Sequence, residues 1–553
     1  MTLISIREIE EDADGNNAEV CLDGGQRVKV KVTDPFTEEQ EQLLGWYFEK
    51  YIQFPFTDRV DAQRASESIK EYGEKLFNQV FDDFDIRMRY KQAIESGAEN
   101  LAIEIAGSPD FHKLHWEAIK DPSLPKPLVL TVPIVRRNLE MQVIRANPRE
   151  SPTINLLIVT ARPGGAKDVG YRTISRPLVN EIRQAGLRVK VDILRPGTYE
   201  AFVNHLLETR DKHGTGYYHV IHFDVHGALL THKDLDIGFK TNQFTYQSRF
   251  GRGDIKKYEG FKAFLFLEGE EEKQSNLLEA GELANLLLEH QISITILNAC
   301  QSGKQVGTEE TSLGSRLMKA GVQMVLAMGY SVTVSAAQLM MRTLYREIFE
   351  GRDLPSAIRR ARLDLFNQKE RRVYFNQVVD LEDWILPVVY ENQHLSLKPR
   401  DFTPQENKDY YEKQTQNYEP PKTTYGFVGR DLDVLEIEKR LLLKRNVLLI
   451  EGMGGSGKTS LLHHLGSWWQ TTGFVDQVFY FGYDNKAHTL QQIMMAIAKR
   501  LMTDVEYVGG FQPLSLDAQR IRLAGILRAN QHLLILGIIW SPSPQQTSLS
   551  RIR

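Results

Sequence analysis

Ile294-Thr295-Ile296-Leu297-Asn298-Ala299-Cys300-Gln301-Ser302-Gly303 is an apolar run that ends in a cysteine. Upstream, Tyr218-His219-Val220-Ile221-His222-Phe223-Asp224-Val225-His226-Gly227 is a second such run, ending in a histidine and a glycine. In both, apolar residues dominate both faces of an extended chain, as in a strand covered on each side. Three further runs share the pattern: Thr153–Thr160, Leu187–Leu194 and Gln323–Met328. Helical periodicity separates most of them, at Thr173–Ala185, Tyr199–Arg210 and Leu278–His290. Ser312–Ala320, Ser335–Glu350 and Pro355–Asn367 read as three more helices. Strands of this type alternating with helices predict an α/β fold, a parallel sheet sandwiched between helix layers. Leu229–Leu267 breaks the rhythm and reads as an insertion over the sheet, with Ala263–Leu267 as an extra strand.

The chemistry follows from the two strand ends. In open α/β sheets the reactive crevice lies at the carboxyl ends of the strands. If the two strands are neighbours, His226 can take the thiol proton of Cys300, or rest with it as imidazolium and thiolate. Gly227 lets its N–H approach a substrate carbonyl, and with the N–H of Cys300 it would form an oxyanion hole. A cysteine at a strand end is ordinarily a small buried hydrophobe, and a lone His-Gly says little. The two in this order, each closing a strand, say more. His222 should sit inside its strand, as a packing histidine or as one that supports the site from behind. Asp224 reads as a solvated or helix-capping residue, with a place in the lining of a specificity pocket as the alternative.

Outward from this centre, the chain has 553 residues, room for several cores. It is 42% hydrophobic and 25% charged with a net charge of −4, which calls for neither nucleic acid nor a membrane surface. Two cysteines, Cys21 and Cys300, are too few for a disulfide framework and fit a reducing, cytoplasmic setting. No signal peptide and no apolar run of the roughly 18 residues a membrane helix needs is evident. Residues 1–100 read as a small α+β module: a hairpin around Asp23-Gly24-Gly25, then helices at Glu38–Tyr51 and Ala62–Phe81. Residues 101–390 hold the sheet. Residues 391–425, polar and carrying Pro399, Pro404, Pro420 and Pro421, read as a linker. Residues 426–553 read as a further α/β domain.

Leu114-His115-Trp116-Glu117, Ile134-Val135-Arg136-Arg137, His222–Gly227, Asn298–Gly303, Ala320-Gly321 and Ala357–Ala361 together resemble the CHAT family, a branch of the caspase–separase–gingipain class of cysteine peptidases. The resemblance spans Leu101 to Tyr390. It implies a caspase-like fold, His226 as general base, Cys300 as nucleophile, a protein or peptide substrate and no cofactor for the peptidase. It also implies a setting in bacterial defence or programmed-death signalling. Trp116 and Glu117 read as fold markers. The His-to-Cys spacing exceeds the roughly 50 residues of caspases, and the insertion accounts for that. Asn298-Ala299-Cys300 lacks the aspartate that basic-specific relatives carry two residues before the cysteine.

Gly452-Met453-Gly454-Gly455-Ser456-Gly457-Lys458-Thr459 fits the phosphate-loop pattern between an expected strand, Asn446–Glu451, and an expected helix. Its backbone N–H groups would cradle phosphates, Lys458 would neutralise them and Thr459 would hold Mg²⁺. Phe427-Val428-Gly429-Arg430 resembles the entry motif of NB-ARC-type ATPases, which implies Arg430 near an adenine and ATP or ADP with Mg²⁺ as ligand. Leu533-Leu534-Ile535-Leu536 looks like the family's next strand, which should end in an acidic residue; Gly537 stands there instead. The expectation is a truncated domain that binds nucleotide weakly and does not hydrolyse it, and that a partner protein could complete. Two other functions compete: a non-catalytic interaction scaffold, and a nucleotide-binding signalling switch.

Overall fold

The computed structural model describes residues 2–12, 15–139, 146, 148–164, 168, 172–184, 186–247, 255–271, 273–299, 302–303, 312–373, 377–395, 397–421, 427–442, 447–483 and 486–537. The chain divides into two compact units, Met1–Asp401 and Phe402–Arg553.

In the first unit the strands begin with β1 (Thr2–Asp12), β2 (Gly15–Leu22), β3 (Val28–Val32), β4 (Leu101–Gly107) and β5 (Ile134–Asn138). There follow β6 (Ile154–Thr160), β7 (Val189–Leu194), β8 (Val220–Asp224), β9 (His226–Leu230), β10 (Phe244–Tyr246), β11 (Lys262–Glu268) and β12 (Ser275–Glu279). The last are β13 (Ile294–Asn298), β14 (Met324–Met328), β15 (Glu370–Arg372), β16 (Val378–Asp380) and β17 (Pro387–Glu391). Eleven of them form one sheet in the order β3-β2-β1-β4-β5-β17-β14-β13-β8-β6-β7.

The five runs read as buried strands are β6, β7, β8, β13 and β14, and all five lie side by side and parallel. Leu156, Leu157, Ile158 and Val159 of β6 have no exposed surface, which is why the run carries no polar alternation. The whole sheet is not parallel, however. β17 runs antiparallel to β14 and parallel to β5, so a second parallel block, β17, β5, β4 and β1, faces the opposite way. The expected parallel sheet is therefore a mixed one, with helices such as Tyr199–His213, Ala280–Glu289 and Val334–Phe349.

Three local findings adjust the reading. First, β1 pairs with β4 over Thr2–Arg7, so the first hundred residues extend the main sheet instead of forming a sheet of their own. Second, the insertion begins at His226, not at Leu229: β9 opens a separate four-stranded sheet, β10-β12-β11-β9, under the helix His232–Lys240. Third, the polar stretch after Glu391 is not structureless. Asn392 donates to the Met318 and Val322 carbonyls in the first unit, and Pro404–Thr415 is a helix in the second. That helix lacks apolar periodicity; a reciprocal cap starts it, Glu406 N–H on the Thr403 hydroxyl and Thr403 N–H on the Glu406 carboxylate.

The second unit holds helices Asp431–Leu442, Lys458–Thr471, Leu490–Leu501 and Leu516–Ala529. Two parallel strands, β18 (Gln477–Gly482) and β19 (His532–Gly537), complete it among the described residues. β19 contains the expected Leu533–Leu536 strand. The expected strand Asn446–Glu451 is not formed over Val447–Glu451, and Asn446 lies outside the described residues. Val447 is 85% exposed and Leu449 76%, because no described strand pairs with them. No described helix is long and apolar enough to cross a membrane.

Candidate active site at the strand ends

β8 and β13 are hydrogen-bonded neighbours in register: His222 lies beside Ile296, Phe223 beside Leu297 and Asp224 beside Asn298. Each strand ends at the same level, and the Asn298 amide donates to Asp224 Oδ1 at 3.1 Å across the end. His226 follows two residues after Asp224, and Cys300 two residues after Asn298. Cys300 itself lies outside the described residues, so its distance from His226 does too. Its flanks are held firmly. Ala299 and Ser302 are each 3% exposed, and the Ser302 hydroxyl accepts the Met328 N–H at 2.9 Å at the end of β14.

His226 stands at the break between β8 and β9, its side chain 44% exposed. Its Nε2 lies 2.5 Å from Oδ1 of Asp168, whose side chain is only 2% exposed. No sequence pattern marks Asp168. It sits in a Gly-, Lys- and Asp-containing stretch without periodicity, 58 residues before its partner. Only a rule that asks what orients a candidate base would have sought it.

Asp224 corrects the expectation of a solvated or helix-capping role. It is 5% exposed, and Arg162 Nη2 donates to its Oδ2 at 2.6 Å. Arg162 also donates through Nη1 to the Asp224 carbonyl at 2.7 Å. A carboxylate at a buried strand end must be paired, and both of its oxygens are used, by Arg162 and by Asn298. A cavity of about 100 Å³ opens against His226, Asp224 and Asn298, with Ile174, Val225 and Met328 among its apolar walls.

His222 lies within β8 with no exposed surface, its Nδ1 2.7 Å from the Tyr345 hydroxyl. Burial holds its pKa down to about 4, with Arg162 adding to the effect and Asp224 opposing it. It is a packing residue, as expected. Gly227 is the second residue of β9 and pairs with Leu265; the Cys300 N–H invoked beside it as an oxyanion donor is outside the described residues. Trp116 is fully buried and donates to the Phe111 carbonyl at 2.8 Å, while Glu117 forms a buried ion pair with Arg136. Both act as fold elements, away from the cavity beside His226.

In the second unit, Gly452–Thr459 makes a turn with Gly455 and Gly457 at φ of 76° and 83°, conformations that glycine adopts without strain. The helix Lys458–Thr471 starts there. Lys458 Nζ donates to the Gly452 and Met453 carbonyls at 2.7 and 2.8 Å, and Arg430 Nη2 to the Ser456 carbonyl at 2.6 Å. Gly454 and Thr459 are exposed. The turn and helix start offer donors that fit phosphates. For Mg²⁺ the fit is poor. Thr459 offers one hydroxyl, Gly537 offers none, and no group of three His, Cys, Asp or Glu side chains gathers among the described residues.

The architecture is thus an α/β sheet carrying a carboxylate-held histidine at the end of its parallel block. The chain belongs to the CHAT domain family, whose model matches residues 70–420. Solved structures similar to it include gingipain R, an Arg-specific cysteine proteinase of Porphyromonas gingivalis, at 10% identity and a TM-score of 0.33, covering 65% of this chain and 75% of that one. The Saccharomyces cerevisiae separase–securin complex gives 9% identity and a TM-score of 0.36 over 72% of this chain, which spans 30% of the separase chain's length. Caspase-1 from Spodoptera frugiperda gives 10% identity and a TM-score of 0.27, covering 48% of this chain and 98% of that one. The chain matches none of the curated proteins it was compared with.

Proposed function

We propose that this chain is a cysteine endopeptidase in which His226 and Cys300 work as base and nucleophile. The observation that carries this is the register of β8 and β13: Asp224 lies beside Asn298, and the histidine and cysteine each follow two residues later. His226 takes the thiol proton, the sulfur attacks the scissile carbonyl, and the amine leaves with the proton returned from the imidazole. Water then hydrolyses the thioester. A protein or peptide is the partner this chemistry requires. Its test is a peptide carrying a thiol-reactive warhead, incubated with the full chain and with Cys300→Ala. Labelling of the wild type that Cys300→Ala abolishes is expected. Equal labelling of both, or none of either across a library of peptides, would favour a non-catalytic scaffold.

The phosphate loop supports a second, weaker activity. We propose that Gly452–Thr459 retains affinity for ATP or ADP through its glycine turn and helix start, with Arg430 beside it, and that no hydrolysis follows. Positioning the metal for hydrolysis needs an acidic side chain as well as a loop hydroxyl. ATP turnover by the full chain should equal that of Lys458→Ala. Turnover well above that control would support a nucleotide-driven switch.

A further inference from the structure

Strand β9 fixes the backbone of His226 but leaves its side chain 44% exposed, so something other than packing must hold the ring. Asp168 meets that need. One oxygen, Oδ1, is 2.5 Å from His226 Nε2, and the other, Oδ2, accepts the Gly164 N–H at 3.0 Å. With its side chain 2% exposed, the carboxylate has little freedom to turn. Gly164 packs closely on it: a Cβ there would stand 3.2 Å from Oδ2.

We propose that Asp168 is the positioning residue of the His226 base, holding the imidazole in the tautomer that leaves Nδ1 free to accept the thiol proton. This rests on the peptidase function proposed above. An ionised carboxylate only accepts hydrogen bonds, so a neutral His226 facing it carries its proton on Nε2. The lone pair is then on Nδ1. When the Cys300 S–H bond breaks, its proton goes to Nδ1 and the electron pair stays on sulfur. The imidazolium so formed keeps Nε2–H on Asp168, whose negative charge, shielded from water, stabilises it.

The geometry also says what asparagine would do. The Gly164 N–H needs an acceptor, so Asp168→Asn would turn its carbonyl oxygen there and present its NH₂ to His226. A donor at that place selects the opposite tautomer, with the proton on Nδ1 and no base facing the thiol. Asp168→Glu keeps an acceptor.

The test uses the full chain, with ¹⁵N-labelled histidine spectra at about pH 8, where unperturbed imidazole is neutral, and His226→Gln to assign the signal. The wild type should show Nε2 protonated and Nδ1 bare, and Asp168→Asn should reverse this. In parallel, iodoacetamide should alkylate Cys300 about tenfold more slowly in Asp168→Asn than in wild type, close to the loss in His226→Ala, with Asp168→Glu in between. A wild-type His226 protonated on Nδ1, or an asparagine variant with unchanged tautomer and alkylation rate, would overturn the assignment. If Asp168→Asn fails to fold, the wild-type spectrum and the glutamate variant decide it. Failure of wild-type Cys300 to react with a peptide warhead would instead count against the peptidase function, and the tautomer would still decide the role of Asp168.

Discussion

Two apolar runs of nearly the same composition meet opposite fates in this molecule. Asn155-Leu156-Leu157-Ile158-Val159 lies between β7 and β8 with its four apolar side chains wholly buried. Val447-Leu448-Leu449-Ile450 forms no strand, and Val447 and Leu449 stand 85% and 76% exposed. Pattern alone does not separate them. A strand satisfies its backbone groups only through neighbours, and the first run has one on each side whereas the second has none among the described residues. A run of β-forming residues is thus a capacity for a strand, and the rest of the sheet decides whether it is used.

Hydrogen exchange should show the contrast at its largest. Amides of Ile154–Thr160 should exchange several orders of magnitude more slowly than those of Val447–Glu451, since the first open only with the sheet. Comparable protection of the two would mean that the second run does pair in solution, and the contrast would fail.

Substitution makes the same contrast energetic. Leu157→Ala empties space in a closed core and should cost about 2–5 kcal/mol. Leu449→Ala should change stability by about 0.5 kcal/mol or less, as exposed substitutions do. Urea unfolding, followed by exchange in each unit, would check both. A loss of similar size at Leu449 would show that it is packed.

A smaller, pH-dependent effect should belong to the first unit. His222 is buried neutral, with its pKa lowered from 6.5 to about 4. The unfolded chain therefore takes up a proton that the folded unit refuses. Stability from this site is fully present above pH 6.5, falls as pH drops from 6.5 toward about 4, and levels off below that. The loss amounts to about 3 kcal/mol at most. In His222→Asn, the slope of the unfolding midpoint against pH over that interval should flatten. An unchanged slope would place the acid sensitivity elsewhere.

What could be read in advance follows the same physics. β6, β7, β8, β13 and β14 were legible because they are apolar on both faces. β4, β5 and β17 were not, because charged residues interrupt or end them. Glu104, Arg137 and Glu391 pair across these strands, Arg137 with Glu104 at 3.1 Å and with Glu391 at 3.7 Å, and Arg136 pairs with the buried Glu117. Those charges look solvent-facing until their partners are known. The site divides in the same way. His226 could be named from its strand end, whereas Asp168 and the Arg162–Asp224 pair are defined only by residues far along the chain. Asp224 invited a solvated reading for that reason.

The central claim, that His226 serves a thiol, has an internal control in the other cysteine. Cys21 lies on β2, partly exposed, with its Sγ 3.3 Å from the Gly25 carbonyl and no histidine hydrogen-bonded to it among the described residues. Alkylation by iodoacetamide at neutral pH, read at each cysteine by peptide mass, compares the two in one tube. Thiolate fraction governs the rate, so Cys300 should react about tenfold or more faster than Cys21, and His226→Ala should remove most of that advantage without unfolding the chain. Equal rates at the two cysteines, unmoved by His226→Ala, would contradict the account.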